Sequence, residues 1–92
     1  MWDMSYTLYL LHLDPPYKHA RHYLGVTRNG RNVVHRWMEH MQGRGAVLTQ
    51  HAVRSDCRLI LARIWVNAEF AHEARLKGRG LAPLCPVCRD RV

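Results

Sequence analysis

The chain has 92 residues, 48% of them hydrophobic, and its 14 Lys plus Arg against 7 Asp plus Glu give a formal charge of +7. That length is expected to form one domain over residues 1–92, with a modest core that two domains could not share. No segment approaches the roughly 18–20 consecutive apolar residues of a membrane span, and the basic excess favours a polyanionic partner such as nucleic acid.

Met1-Trp2-Asp3 shows neither a basic n-region nor an apolar h-region, so no secretory signal is visible. Three cysteines, an odd number, argue against a disulfide framework and for a reducing compartment, which makes a cytoplasmic protein the expectation.

Ser5 to Leu13, rich in Tyr, Leu and Thr, reads as a strand stopped by Asp14-Pro15-Pro16. Tyr17 to His22 is a basic-aromatic connector. His22 to Thr27 is a second short strand, ended by the turn signal Asn29-Gly30. From about Asn32 the period becomes helical. Val33, Val34, Trp37, Met38 and Met41 fall on one face, and Gly43 terminates the helix. Ala46 to Val53 suits a second short helix, and Arg58 to Val66 is the strongest strand in the chain. Asn67 reads as the N-cap of a last helix, with Glu69 in its first turn and an end near Lys77 before Gly78. The tail from about 80 to 92, which contains two prolines and Cys85-Pro86-Val87-Cys88, is expected to be irregular. The order β-β-α-(α)-β-α predicts an α+β domain, a small, mostly antiparallel sheet covered by helices.

Tyr23-Leu24-Gly25 lies between Tyr9 and Arg36-x-x-x-His40, which gathers two phenols, a guanidinium and an imidazole in a basic chain. Those groups can hold a phosphate, position a water and move a proton. Arg36 and His40 form an i, i+4 pair expected at the border of the apolar face. The planar fork of Arg36 suits a phosphate; the plain alternative is a solvated helix edge. A hard cation would need a carboxylate. Glu39 points away from the apolar face, Glu69 answers a helix dipole, and Asp3, Asp14, Asp56 and Asp90 fall at a terminus, a turn or in loops. Glu73 remains, at the border of its helix's packing face, with a surface ion pair to Lys77 at i+4 as the alternative.

Taken in order, Tyr9, Tyr23-Leu24-Gly25, Arg36-x-x-x-His40 with Gly43-Arg44-Gly45, and Glu73-x-x-Leu76-Lys77 resemble the GIY-YIG nuclease domain. Pro16 to Gly25 and the closing Cys85-x-x-Cys88 are similar to a compact stand-alone bacterial or phage branch of it. The resemblance implies a three-stranded antiparallel sheet flanked by helices and a divalent-metal-dependent endonuclease that hydrolyses DNA phosphodiesters. It implies that Tyr9 and Tyr23 take the places of the two motif tyrosines, that Arg36 clamps the scissile phosphate with His40 assisting, and that Glu73 binds one Mg²⁺ or Mn²⁺. Thr7 and Leu8 stand where the first motif has glycine and isoleucine, and the stretch around Arg28-Asn29-Gly30 is a few residues long. Tyr9 would orient or deprotonate the attacking water. Lys18, His19, Arg21 and His22, together with Arg44, would steer the nucleic-acid backbone.

Cys85-x-x-Cys88 is a zinc half-site; Cys57 and one of His12, His51 or His72 could complete it, and reduced cysteines in a turn are the plain reading. A redox role fits less well, because such a motif normally opens a helix after a strand. Two other functions fit the composition: a nucleic-acid binder without cleavage, and a small basic protein-interaction factor.

Overall fold

A computed structural model describes residues 6–28 and 32–90. The chain is α+β: β1 (Tyr6–Tyr17), β2 (Ala20–Arg28), α1 (Val33–Met41), α2 (Val47–Arg54), β3 (Arg58–Ala68), α3 (Phe70–Arg79), a 3₁₀ turn (Ala82–Leu84) and α4 (Pro86–Asp90). The three strands form one antiparallel sheet in the order β2-β1-β3, as the sequence leads one to expect. Among the described residues no helix is long and apolar enough to cross a membrane.

Because β1 is the middle strand, its alternating side chains supply two cores. Leu8 and Leu10 point to one face, where they meet Leu24 of β2, Ala68, Leu76 of α3 and Cys85. Tyr9, Leu11 and Leu13 point to the other, against Ala52 of α2, Cys57 and Leu59, with Val33 and Trp37 of α1 packed on them. Period-2 alternation on a strand covered on both sides produces this two-sided core, with helices as the outer layers. The Trp37 indole N–H donates to the Leu59 carbonyl at 2.9 Å, which fastens α1 to β3.

Several boundaries differ from the sequence reading, each for a local reason. Asp14-Pro15-Pro16 does not stop β1, which runs on to Tyr17. Its pairing with β2 breaks between His12↔His22 and Tyr17↔Ala20, where four residues of β1, Leu13 to Pro16, oppose Arg21 alone. An edge-side irregularity of that kind lets a strand accept proline without losing ladder bonds. Asn32 caps α1, its side chain accepting from the Val34 and His35 N–H groups, as its position predicts. Gly43, just past the helix end, has φ 76°, the left-handed conformation glycine adopts without penalty. Asn67 is not an N-cap. It lies inside β3 at φ 56°, and Glu69 takes the N-cap position. The helix that follows passes Gly78 and ends at Arg79. The tail is less irregular than its composition suggests, since the 3₁₀ turn and α4 occupy most of it. The turn expected at Asn29-Gly30 lies outside the described residues.

Candidate functional site

The four candidate residues from the sheet and α1 meet on the face covered by α1 and α2. Tyr9 and His40 are joined at 2.7 Å between the phenol oxygen and Nε2. The Tyr23 ring lies 6.3 Å from that of Tyr9 and 5.2 Å from that of His40, centroid to centroid. Arg36 hydrogen-bonds to Tyr9 and to Glu39, the latter at 3.3 Å.

The proton positions in this network follow by accounting. The Thr49 hydroxyl donates to the Ala46 carbonyl at 2.9 Å, so its oxygen accepts from His40 Nδ1 at 2.7 Å. Nδ1 therefore carries the proton, Nε2 is an acceptor, and the Tyr9 hydroxyl donates to it. Tyr9 in turn accepts from Arg36, which can only donate. One chain of hydrogen bonds thus runs from α2 through α1 into the central strand.

Two glycines make room for it. Gly25 stands directly across from Tyr9 in the β1–β2 ladder, and a Cβ there would overlap the phenol ring. A Cβ on Gly45 would overlap the His40 imidazole. The glycine of Tyr23-Leu24-Gly25 and the second glycine of Gly43-Arg44-Gly45 are therefore required by packing against the two residues they accompany.

Electrostatics keep His40 neutral. Its pKa is lowered to about 4, chiefly by burial and secondarily by the Arg36 guanidinium, with Glu39 opposing. For Arg36, burial alone would lower the pKa; hydrogen bonds to Tyr9 and Glu39, with their charges, outweigh it and raise the pKa.

The helical face differs from the one periodicity predicts. His40 is the fully buried residue of α1, at 0% exposure, whereas Val34, Met38 and Met41 are 48%, 46% and 39% exposed. The Val33–Arg36–Trp37–His40 stripe faces the sheet because the hydrogen bonds of His40 and Trp37 draw it there. Tyr9 is also buried, at 1% exposure, which alters its expected role as a water-facing base. The half-buried Arg36 lines an open cleft with Val26, Thr27 and Arg28.

Glu73 does not join this group. Its helix packs through Leu76 on the opposite, Leu8–Leu10 face, and its carboxylate pairs with Lys77 at 2.8 Å. The expected Mg²⁺ or Mn²⁺ thus finds a single carboxylate already facing an ammonium. Among the described residues Glu73 belongs to no group of three or more His, Cys, Asp or Glu side chains that could hold a metal ion.

A second cluster lies across the sheet. His12, His22, Cys85 and Cys88 place one ligand atom each within 4.8 Å of one another, and the cluster could hold a metal ion. His12 Nδ1 is 3.4 Å from His22 Nε2 and from Cys85 Sγ, and 3.5 Å from Cys88 Sγ; Cys88 Sγ is 3.3 Å from His22 Nε2. Neither Cys85 nor Cys88 is in a disulfide. The pKa of His22 is lowered by burial, by His12 and by Arg21, so it is available as a neutral ligand.

Of the residues expected to complete Cys85-x-x-Cys88, His12 does so. Cys57 lies in the other core, beside Leu59, and His51 stacks on Tyr17 at 6.2 Å. His22, expected to steer nucleic acid, turns inward to the cluster. Spacing from the turn at Lys18-His19 could not have found it, since His12 and His22 face each other only because four residues of β1 oppose Arg21 alone. Lys18, His19, Arg21 and Arg44 are exposed, the first three at or beside that tip. No family model, curated protein or solved structure matches this chain.

Proposed function

We propose that the protein is a nucleic-acid phosphodiesterase whose site is built on Tyr9, Tyr23, Arg36 and His40. The observation that carries the reading is the convergence, from three elements, of four of the five residues that the sequence had picked out, Glu73 being the exception. Arg36, with Arg28 at the same cleft, offers guanidinium forks to a phosphate and to the charge that accumulates in its transition state. Tyr9 holds Arg36 from behind, and His40 and Thr49 hold Tyr9, so the clamp is preorganised by groups that do not touch solvent.

His40, at about 4, is a reluctant proton acceptor at rest and orients Tyr9. The ring of Tyr23, half-buried beside both, presents the second phenol at the rim. The chemistry a divalent ion would supply in such a site is stabilisation of the leaving oxygen. Glu73, on the opposite face of the sheet, stands apart from the four.

Nicking of supercoiled plasmid, assayed with and without Mg²⁺, tests the reading. Wild type should nick, and Arg36→Ala and Tyr9→Phe should lose most of that activity while keeping their fold by circular dichroism. Undiminished cleavage by both variants would sink the proposal. Glu73→Gln reports separately on whether that carboxylate takes part. DNA binding without nicking, with a steep salt dependence, would favour the binding module instead.

For the second cluster the ion we propose is Zn²⁺. Two thiolates and two imidazoles suit it, and bonds of about 2.0–2.1 Å to nitrogen and about 2.3 Å to sulfur at tetrahedral angles require edges of about 3.3 Å for N···N and about 3.5 Å for N···S. The 3.3–3.5 Å separations within the cluster fall on those edges.

A further inference from the structure

The ligands of the second cluster come from two distant parts of the chain, the last regular β1–β2 pair and the C-terminal segment, with Cys85 and His12 separated by 73 positions. We infer that the Zn²⁺ proposed for this site is a structural staple: its binding docks residues Leu81–Arg89 onto the sheet, and its removal releases that segment while the Tyr9 face stays folded.

Three observations carry this. First, the four-ligand set is closed. All four positions of a tetrahedral ion are filled by protein atoms, and none is left for a water or a substrate, which is the mark of a structural site. Second, the segment has little else to hold it. The 3₁₀ turn has three residues and α4 has five, far below the length at which a helix persists alone. Both Ala82 and Pro83 are exposed, and the apolar side chains that remain, Leu81, Leu84 and Val87, are only partly buried against the sheet. Third, without an ion the four ligand atoms are poor partners for one another. Two imidazoles and two thiols crowded within 4.8 Å provide weak donors and acceptors, and Cys85 is fully buried. A cation turns that crowding into four bonds.

The position of the staple adds to its effect. His12↔His22 is the last pair before β1 carries its four residues against one, so the ion would close the ladder where pairing fails. The same ion would tie the C-terminal segment over Leu8, Leu10 and Leu24, the core that α3 covers through Leu76. Zn²⁺ binding would release the two thiol protons as the thiolates form.

The test uses the full chain purified with Zn²⁺. Native mass spectrometry should show one ion per chain, and Co²⁺ exchanged for it should give the visible bands of a tetrahedral thiolate-bound ion. Cys88→Ser and His22→Asn should each lower the affinity by tenfold or more. These two are preferred to Cys85 variants because Cys85 is buried in the core and its loss could abolish folding outright. Chelation should speed tryptic cleavage after Arg79 at least tenfold and leave cleavage after Arg54 unchanged. Absence of a stoichiometric ion, or a Cys85–Cys88 disulfide two hydrogens lighter in its place, would overturn the site. An ion that binds but whose removal leaves cleavage after Arg79 unchanged would overturn the staple. The inference rests on the zinc reading and not on the nuclease reading, since none of these measurements involves plasmid cleavage.

Discussion

The two faces of the sheet solve the same problem, a pair of buried aromatic or imidazole polar groups beside a leucine core, in opposite ways. On the α1–α2 face the Tyr9–His40 pair is satisfied from within: Tyr9 donates to His40, His40 to Thr49, and Thr49 to the Ala46 carbonyl. On the other face His12, His22, Cys85 and Cys88 converge on one point with only weak thiol donors and mutual contacts of 3.3–3.5 Å among them. A network with its protons accounted for is complete as it stands. One made only of ligand atoms calls for a cation. The contrast shows that burial of a histidine does not define its role; the hydrogen bond made by its second nitrogen does.

The largest expected effect falls on the face that needs the ion. Chelating it should lower the unfolding free energy by about 4 kcal/mol or more if the free ion was held near a thousand times its dissociation constant. Denaturant titration with and without chelator measures this, and an unchanged midpoint would erase the difference between the faces.

The next effect belongs to His40. Its folded pKa of about 4 lies below the 6.5 of the unfolded chain, so between those values the unfolded state binds more protons. Stability from His40 neutrality is therefore complete above about pH 6.5 and falls as pH drops toward 4, by about 3 kcal/mol in all. The comparison to make is wild type against His40→Gln, both with chelator, so that acid release of metal does not contribute. A parallel pH dependence in the two proteins would contradict the assignment.

Gly25→Ala should cost about 2–3 kcal/mol, since the phenol ring of Tyr9 has no free space to retreat into. Thr49→Val should cost about 1–2 kcal/mol by leaving His40 Nδ1–H without its acceptor, and ¹⁵N spectra should show the tautomer preference of His40 weakened. The smallest effect should come from Lys77→Met, which removes a partly exposed i, i+4 pair with Glu73 worth about 0.3–0.5 kcal/mol.

Most of the fold could be read from the chain. The tyrosine- and leucine-rich β1, the Asn32 cap and the β3 run carry local signals that tertiary packing reinforces. What misled was punctuation whose meaning depends on neighbours. Asp14-Pro15-Pro16 reads as a stop but sits in a bulge, and Asn67 reads as a cap but supplies a left-handed residue within a strand. In the candidate site, order along the chain found Tyr9, Tyr23, Arg36 and His40. It could not show that Tyr9 and His40 are buried, because α1 turns its Val34–Met38–Met41 side outward against the periodic expectation. Nor could it place Glu73, since the face of the sheet that a helix covers is a matter of topology. Cys85-x-x-Cys88 was legible as half a site, and its partners were not, because pairing across a hairpin is fixed by a register that spacing alone does not reveal.

Gly25 has a consequence for how that register is chosen. A hairpin slipped by two positions would keep every side chain on its proper face, so the hydrophobic pattern alone cannot reject it. Slipped one way, Tyr9 would face Tyr23; slipped the other, Thr27, and either partner would bring a side chain to the place where the ring of Tyr9 lies against bare backbone. The same slip would part His12 from His22. A glycine and a pair of imidazoles, three residues apart on opposite faces of one ladder, therefore act as two independent proofreaders of a single alignment.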